Sequence, residues 1–369
     1  AGKNVNVFVG PEAHESLFRH PDEVLNPTDA YKMMIPVFGK GVVYDTTHER
    51  MMEQLHMLHP ALRNKRMRTY TEIIAEETQL MMGDWGDEGE FEVCDFFGVL
   101  TSYTSSRCFL GPEFRNEMSE EFAHNYVDLE GGIVPIAYIN AHLPIPAFRR
   151  RDKARKRLGE MVSEAIARRR ERDIVGEDFI QTLMESTYAD GTALTDHEIP
   201  GILIANRVAG HHTSSVTTAW SLIELHRNHG YYVEVCAEVR GRYGEGESYS
   251  FNAMRDVEKT EWAIKEALRV HPPLFMLFRT ATQDCEIYGH LVKKGEWVCV
   301  SPIVAHREDA VFADALRYDP ERYGPGREED RRPFAYVSFG GGRHKCLGNA
   351  FAILQMKVIL SAMLNQYDF

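Results

Sequence analysis

One cysteine of the chain stands in a setting that suits chemistry better than packing. Cys346 lies in the stretch SFGGGRHKCLG, at 338–348, just ahead of a helical pattern. A lone cysteine is most often a small buried hydrophobe. Here, however, residues 340–342 are all glycine, which lets the backbone approach something flat and large. The cations at 343–345 place positive charge beside the thiol, which lowers its pKa and favours the thiolate.

A thiolate in a glycine-lined loop suits a metal ligand with an open face. The loop fits the specific pattern F-x-x-G-x-x-x-C-x-G, which begins at Phe339 and Gly340. Haem iron is held by a cysteine thiolate in one class of oxygen-activating enzymes. We therefore predict that Cys346 is a metal ligand, with Phe339 and Gly340 in the loop that surrounds the bound group.

A second motif, KEALR, places Glu266 and Arg269 three residues apart and hence on one helix face. Alone it is weak, because any surface helix can carry such an ion pair. The following VHPP ends the helix, since the residue before a proline avoids helical geometry. Farther along, DPERY carries Arg322, which we expect to close a triad with Glu266 and Arg269. A buried network of this kind would fix the backbone under a cofactor.

The third motif, AGHHTSS, lies inside a long helical pattern. Gly210, Thr213 and Ser214 weaken the helix locally, which favours a kink. The plain alternatives are that the Thr213 hydroxyl bonds back to its own helix and that His212 is a satisfied core histidine. A hydroxyl beside a titratable imidazole is also what proton delivery to bound dioxygen needs, and we predict that role for Thr213 and His212.

Helical periodicity dominates the elements that must position these motifs. The longest helix follows a capping-box signature at Thr195 and Glu198, and it is apolar nearly all round its middle, as a helix buried in a core would be. Strand patterns are few: 5–9, 41–44 and the hairpin-like 285–302. We predict a mainly α fold with small β sheets. The predicted helices are 47–59, 66–83, 92–110, 114–130, 149–171, 176–188, 196–227, 229–242, 253–270 and 349–365.

Composition narrows the class of protein. The chain has 369 residues, a hydrophobic fraction of 44% and a formal net charge of −13. It can therefore build a large core, but it lacks the basic footprint that nucleic acid requires. Its six cysteines lie far apart without a C-x-x-C pair, which favours reduced thiols and a reducing compartment. No repeat or linker divides the chain, so we expect one catalytic domain over 1–369.

The two ends of the chain carry separate expectations. No signal peptide or apolar run of membrane-spanning length is present. Both ends look trimmed, and the last residues, NQYDF, read as a strand. The pattern leans towards a soluble, cytoplasmic protein of bacterial type, although trimming of a membrane anchor would leave the same sequence.

In this order and spacing, the three motifs resemble the cytochrome P-450 superfamily, over 31–365. The resemblance implies the cytochrome P-450 fold, in which haem b lies between the long helix and the Cys loop. A finer resemblance is to sterol 14α-demethylases. It rests on His212 in AGHHTSS, on His344 before the cysteine, and on YKMMIPVFGKGVVYD at 31–45, which looks like their substrate-loop signature. The plain alternative for that stretch is an apolar loop packed on the core.

Carried over position by position, the resemblance implies a role for each matching residue. Cys346 would be the axial ligand, and Thr213 and His212 would handle protons. The haem propionates would be held by Tyr31, Arg68, Arg279 and His344. The sterol cavity would be lined by Met33, Phe38, Ala209, His212, Leu274 and Met276. Two departures stand out: Met33 replaces the usual Phe, Leu or Ile, and no W-x-x-x-R pair is evident in 47–70.

The implied activity is removal of the 14α-methyl group of a sterol precursor. The methyl group would be oxidised to the alcohol and the aldehyde and then lost as formate, with dioxygen and two electrons consumed at each step. Two rivals remain open. One is a monooxygenase of another hydrophobic substrate, such as a fatty acid or a terpenoid, and the other is a haem sensor or electron carrier.

A separate electron donor is expected, because no G-x-G-x-x-G opens a helix after a strand to bind NADPH or flavin. We predict that a ferredoxin or a flavoprotein reductase docks beside Cys346, where Arg343 and Lys345 offer positive charge. The resemblance also implies a sterol substrate, dioxygen and azole-type inhibitors as ligands. We expect a monomer with no nucleic-acid partner.

Overall fold

The structure is a computed structural model that describes residues 4–111, 115, 119–176, 178–244 and 248–369. It is mainly helical with small sheets, which confirms the predicted fold class. Within the described residues the α-helices are α1 (Pro11–Arg19), α2 (Ile35–Phe38), α3 (His48–His56), α4 (Asn64–Met82), α5 (Val93–Phe109), α6 (Ser119–Glu130), α7 (Pro146–Glu171), α8 (Phe179–Glu185), α9 (Glu198–Arg227), α10 (His229–Tyr243), α11 (Glu258–Val270), α12 (Pro302–Ala305) and α13 (Asn349–Gln366).

Two small sheets accompany the helices in the described part of the chain. The larger has the strand order β1-β6-β3-β2, with β1 parallel to β6 and the other pairs antiparallel. The smaller is a hairpin of β4 and β5, joined by Tyr288 and Gly289 at φ 47° and 78°. Two consecutive positive φ angles are what a tight hairpin turn of this twist requires. The strands are β1 (Val5–Phe8), β2 (Leu25–Asn26), β3 (Leu277–Ala281), β4 (Cys285–Ile287), β5 (His290–Val292) and β6 (Trp297–Val300).

Tertiary contacts divide the chain into two compact units. The first comprises Ala1–Pro27, Met67–Thr101 and His212–Phe369, and the second comprises Thr28–Arg66 and Ser102–His211. In the first unit, Phe18 of α1 joins a hydrophobic cluster with the strands of the larger sheet. In the second unit, Met33 packs in a cluster with Ala137, Ala141 and Phe148. The single domain predicted from the sequence stays a prediction.

The long helix α9 starts as the sequence predicts. The Thr195 hydroxyl accepts the Glu198 N–H at 3.2 Å, and the Glu198 carboxylate accepts the Thr195 N–H at 2.8 Å, which completes the capping box. The helix runs unbroken through Gly210, so the expected weakening does not interrupt it. The hydroxyls of Thr217, Thr218 and Ser221 donate to carbonyls one turn back at 2.7–2.8 Å, which satisfies them inside the core.

Several predictions of local structure are wrong or incomplete. Residues 41–44 form no strand, since a 3₁₀ turn covers Val43–Asp45 instead. The last residues are not a strand either, because α13 continues to Gln366 and 367–369 lie outside any strand. The patterns also missed α1, β2 and β3. The predicted helix 114–130 falls partly on 114 and 116–118, which lie outside the described residues, and its remainder is α6.

No helix in the described part of the chain combines the length and the apolar character needed to cross a membrane.

Candidate active site

The loop before Cys346 is pressed against helix α1. A 3₁₀ turn, Gly342–His344, precedes the cysteine, and α13 follows it. A Cβ atom added at Gly341 would lie 2.9 Å from the Phe18 ring, closer than a real side chain tolerates. Gly342 has a φ of 63°, which glycine adopts without strain. The loop is closed by the Cys346 N–H, which donates to the Phe339 carbonyl at 2.8 Å.

Cys346 is exposed as a residue. The surrounding protein nevertheless removes part of the water from its thiol group. Burial raises the pKa of the Cys346 thiol and outweighs the opposing hydrogen bonds from the N–H groups of Gly348 and Asn349 and the charge of Lys345. The prediction that the flanking cations set a low pKa is therefore wrong for the protein alone. A sulfur that receives two backbone N–H groups beside bare glycines nevertheless fits a haem iron, because such donors stabilise a coordinated thiolate.

The four predicted propionate partners lie on different elements. His344, in the cysteine loop, lies 2.8 Å from both carboxylate oxygens of the buried Asp22. Arg279 is buried on β3 and donates to the Phe278 carbonyl at 2.7 Å. Arg68 is exposed on α4. In the second unit, the Tyr31 ring stacks on Tyr44 with 5.4 Å between ring centroids.

The structure brings Glu266, Arg269 and Arg322 together in the first unit. Arg269 donates to both oxygens of Glu266 at 2.8 Å, and Arg322 donates to one of them at 3.0 Å. All three side chains are fully buried, with 0% exposure. The surface ion pair that this motif often represents is thus excluded. Two further donors, the Tyr323 hydroxyl and the Asp319 N–H, complete the shell of the carboxylate at 2.9 Å.

The guanidinium groups of Arg269 and Arg322 also donate hydrogen bonds to backbone carbonyls that are distant in sequence. Arg269 donates to the carbonyls of His306 and Ala315 at 2.5 and 2.7 Å, and Arg322 donates to the Ala313 carbonyl at 3.0 Å. The His306 imidazole in turn accepts the Val337 N–H at 3.0 Å, at the start of the cysteine loop. The network therefore joins α11 to the segment that leads into Cys346.

The centre of α9 carries the predicted proton-handling pair. His212 is exposed and Thr213 is half-buried, so His212 is not the satisfied core histidine of the plain alternative. Ala209, one turn earlier, is also exposed. The neighbouring His211 was not singled out from the sequence. Its Nδ1 lies 3.2 Å from the carboxylate of Glu130 at the end of α6, a partner that only the tertiary fold could supply.

The predicted sterol-lining residues fall in both units. Met33 and Phe38 are buried in the second unit, at 7% and 6% exposure, which also agrees with the plain alternative of core packing. Leu274 and Met276 lie in the first unit, between α11 and β3. Leu274 is 52% exposed, and Met276 is half-buried. A lining role for these residues stays a prediction.

Comparison with known sequences gives one consistent family. The family Cytochrome P450 matches residues 1–369. The chain is 41% identical to "Sterol 14alpha-demethylase" of Mycobacterium tuberculosis, over 100% of this chain and 82% of the relative. It is 36% identical to "Sterol 14-demethylase" of Arabidopsis thaliana, over 99% and 77% of the two chains. It is also 36% identical to human "Lanosterol 14-alpha demethylase", over 100% and 73%.

Comparison with solved structures supports the same fold. The structure titled "Retinoic acid bound cyanobacterial CYP120A1" superposes with a TM-score of 0.86 over 100% of this chain and 83% of its own. Its sequence is 23% identical, so the likeness speaks for the fold alone.

Proposed function

The chain belongs to the cytochrome P450 family, and we propose that it is a haem-thiolate monooxygenase that removes the 14α-methyl group of a sterol precursor. One observation carries this proposal. Relatives from a bacterium, a plant and a mammal, all named as sterol or lanosterol 14-demethylases, share 36–41% identity with it over at least 99% of the chain. The names of these three relatives favour a demethylase over a haem sensor or an electron carrier.

The haem supplies the oxidising chemistry, and the residues of the chain bind it, orient the substrate and move protons. Cys346 is the proposed axial ligand. Its support is the pair of backbone N–H donors to the sulfur, the exposed position of the residue and the close packing of Gly341 on Phe18. Phe339, Gly340, Tyr31, Arg68, Arg279 and His344 remain proposed cofactor-binding residues. The exposure of Arg68 and the pairing of His344 with Asp22 make these two the first to test.

Proton handling is proposed for the Thr213 hydroxyl and the His212 imidazole. The exposure of His212 supports it, because a group that exchanges protons must be reachable by water. His211, paired with Glu130, is a second imidazole of the same helix that the sequence did not single out. The sterol is proposed to contact Met33, Phe38, Ala209, His212, Leu274 and Met276.

Two further proposals concern the surroundings of the enzyme. A ferredoxin or a flavoprotein reductase donates electrons beside Cys346, where Arg343 and Lys345 are both exposed. The enzyme works in a reducing compartment, in keeping with six cysteines that lie among the described residues and form no disulfide.

The test is a titration of the purified ferric protein with 14α-methyl sterols, followed by the Soret band. We expect a saturable spectral shift with sterols and none with fatty acids of similar length. The variant Cys346→Ser is the control, and it should lose the thiolate spectrum of the reduced protein with carbon monoxide. A normal thiolate spectrum without any sterol shift would keep the haem enzyme and remove the sterol assignment.

A further inference from the structure

The segment 39–45 of the second unit adopts an uncommon backbone. Gly39, Gly41 and Val43 have φ angles of 107°, 73° and 48°. Glycine enters this left-handed region freely, but a β-branched residue there is a genuine outlier. Such an outlier persists only where its surroundings over-determine it. Some group must therefore hold Val43 in place.

The side chain of Gln54, on α3, is that group. It is buried, and its Oε1 accepts the Val43 N–H at 2.7 Å. Its Nε2 donates to the Gly41 carbonyl at 2.9 Å and to the Tyr188 hydroxyl at 2.9 Å. The amide group of Gln54 thus pairs with the N–H of Val43 and with the carbonyl of Gly41. Both hydrogens of its nitrogen are engaged in hydrogen bonds.

Gln54 is itself fixed by a hydrogen bond to Tyr188. The Tyr188 hydroxyl that accepts from it donates to the Glu198 carboxylate at 2.7 Å, at the first residue of α9. Burial, with the Glu198 carboxylate adding to it, raises the pKa of Tyr188 to about 12, so the phenol keeps the proton that it donates. The guanidinium of Arg50 covers the ring of Tyr188 at 3.6 Å. The amide of Gln54 is therefore fixed relative to α9.

The segment so held carries an aromatic ladder. Tyr44 follows Val43 directly, and its ring stacks on Tyr31 at 5.4 Å and on Phe38 at 5.9 Å. A change in the backbone dihedral angles at Val43 would displace the ring of Tyr44. That displacement would in turn shift the rings of Tyr31 and Phe38, which stack on it. The segment also packs tightly on α9, because a Cβ atom added at Gly201 would lie 2.5 Å from the side chain of Val42.

We propose that Gln54 is a positioning residue for sterol recognition, which acts by holding the backbone of 41–45 and, through Tyr44, the rings of Tyr31 and Phe38. The proposal rests on the proposed function, since it takes the sterol as the ligand of this loop. Gln54 itself does not touch the substrate. Its removal should loosen sterol binding while the thiolate ligand Cys346 stays in place.

The experiment compares wild type with Gln54→Leu, which has a similar volume but none of the three hydrogen bonds. The Kd for a 14α-methyl sterol, from the Soret titration, should rise at least tenfold, and KM should rise with little change in kcat. Amide hydrogen exchange of 41–45 should accelerate tenfold or more, while helices α7 and α8 exchange as before. Tyr188→Phe removes one of the three hydrogen bonds of Gln54, together with the link to Glu198, and should give a smaller effect of the same kind. Gln79→Leu, at an exposed position of α4, is the matched control.

Hydrogen exchange separates the failure of this proposal from that of the proposed function. If wild type binds the sterol and Gln54→Leu binds it within twofold, the proposal is overturned, whatever the exchange rates. Unchanged exchange of 41–45 in Gln54→Leu would overturn it as well, because the loop would then be held by something else. If wild type itself shows no sterol shift, the proposed function fails, and the sterol part of this inference falls with it.

Discussion

At the scale of single residues, Glu266 shows how a weak motif gains force from distant partners. Its carboxylate has 0% exposure and lies between two guanidinium groups that have none either. Taking such charges out of water is costly, and only the full set of hydrogen bonds offsets the cost. The three buried charges therefore add little net stability to the folded protein. Removing one of them, however, leaves the remaining charges buried without a partner.

We expect Glu266→Gln to lower the free energy of unfolding by about 3 kcal/mol, since breaking a buried ion pair leaves unpaired charge behind. Denaturant unfolding measures this loss. Glu72→Gln, an exposed change on α4, is the control and should stay within about 0.5 kcal/mol of wild type. A loss of less than about 1 kcal/mol for Glu266→Gln would contradict the argument.

The two histidines of α9 lead to a second prediction at this scale. His212→Ala should slow turnover about tenfold or more and should affect turnover more than it raises the sterol Kd, because general acid–base groups act on the chemical step. His211→Ala is the comparison, since His211 is paired with Glu130 rather than exposed. Steady-state kinetics measure the turnover rate of each variant, and the Soret titration measures its sterol Kd. Equal turnover of His212→Ala and wild type would remove His212 from the proton route.

Whether a contact between two side chains could be predicted from the sequence depended on how far apart the two residues lie along the chain. Glu266 and Arg269 are three apart, so helix geometry alone predicts their contact. The partners of His211 and His344 are Glu130 and Asp22, at separations of 81 and 322 residues. Nothing local in the sequence ties such residues together, and both pairs therefore appear only in the folded chain.

At the scale of elements, His306 joins the segment after α12 to the cysteine loop. Its Nε2 accepts the Val337 N–H, and its ring stacks on Tyr336 at 5.4 Å between centroids. Burial, together with the charges of Arg269 and His14, lowers the pKa of His306 to about 3. The imidazole is therefore neutral in the folded protein at every pH near neutrality.

This pKa shift gives a pH dependence with a definite sign. Between pH 6.5 and 3 the unfolded chain binds a proton at His306 that the folded chain does not, so stability falls as the pH falls. The loss from this residue is about 2 kcal/mol between pH 6.5 and pH 5. His14, whose pKa burial also lowers, adds to it in the same direction.

Chemical unfolding at pH 7 and pH 5 measures the effect. His306→Gln keeps an acceptor for Val337 but does not titrate, so its stability should fall less than that of wild type over this range. His290→Gln, at an exposed position of β5, should leave the wild-type slope unchanged. Parallel slopes for wild type and His306→Gln would contradict the assignment.

Elements were predictable where the pattern was long. The predicted helix 196–227 and α9 nearly coincide, because its capping box and its apolar character point the same way. The strand predicted at 41–44 was wrong for a physical reason. The Gln54 side chain takes the Gly41 carbonyl and the Val43 N–H, which a neighbouring strand would otherwise use. Helix α1 has nine residues and strand β2 has two, so each offers few positions over which a period can be recognised.

At the scale of the whole molecule, the net charge of −13 shapes the encounter with an electron donor. An acidic ferredoxin or flavoprotein is repelled by most of such a surface, so a local basic face must guide it. Arg343 and Lys345 are exposed on either side of His344, next to the cysteine. This placement supports the proposed docking face, because a donor that binds there approaches the thiolate side.

We expect the double change Arg343→Glu and Lys345→Glu to slow reduction by an acidic donor about tenfold at low salt, since it removes the local attraction and adds repulsion. Stopped-flow reduction under carbon monoxide measures the rate. The double change Lys293→Glu and Lys294→Glu, on the turn between β5 and β6, alters the net charge equally and is the control. Raising the salt concentration should bring the rates together, because exposed charges are largely screened beyond about 10 Å at 0.1 M. If both double variants slowed alike, net charge alone would explain the effect, and the face beside Cys346 would lose its special role.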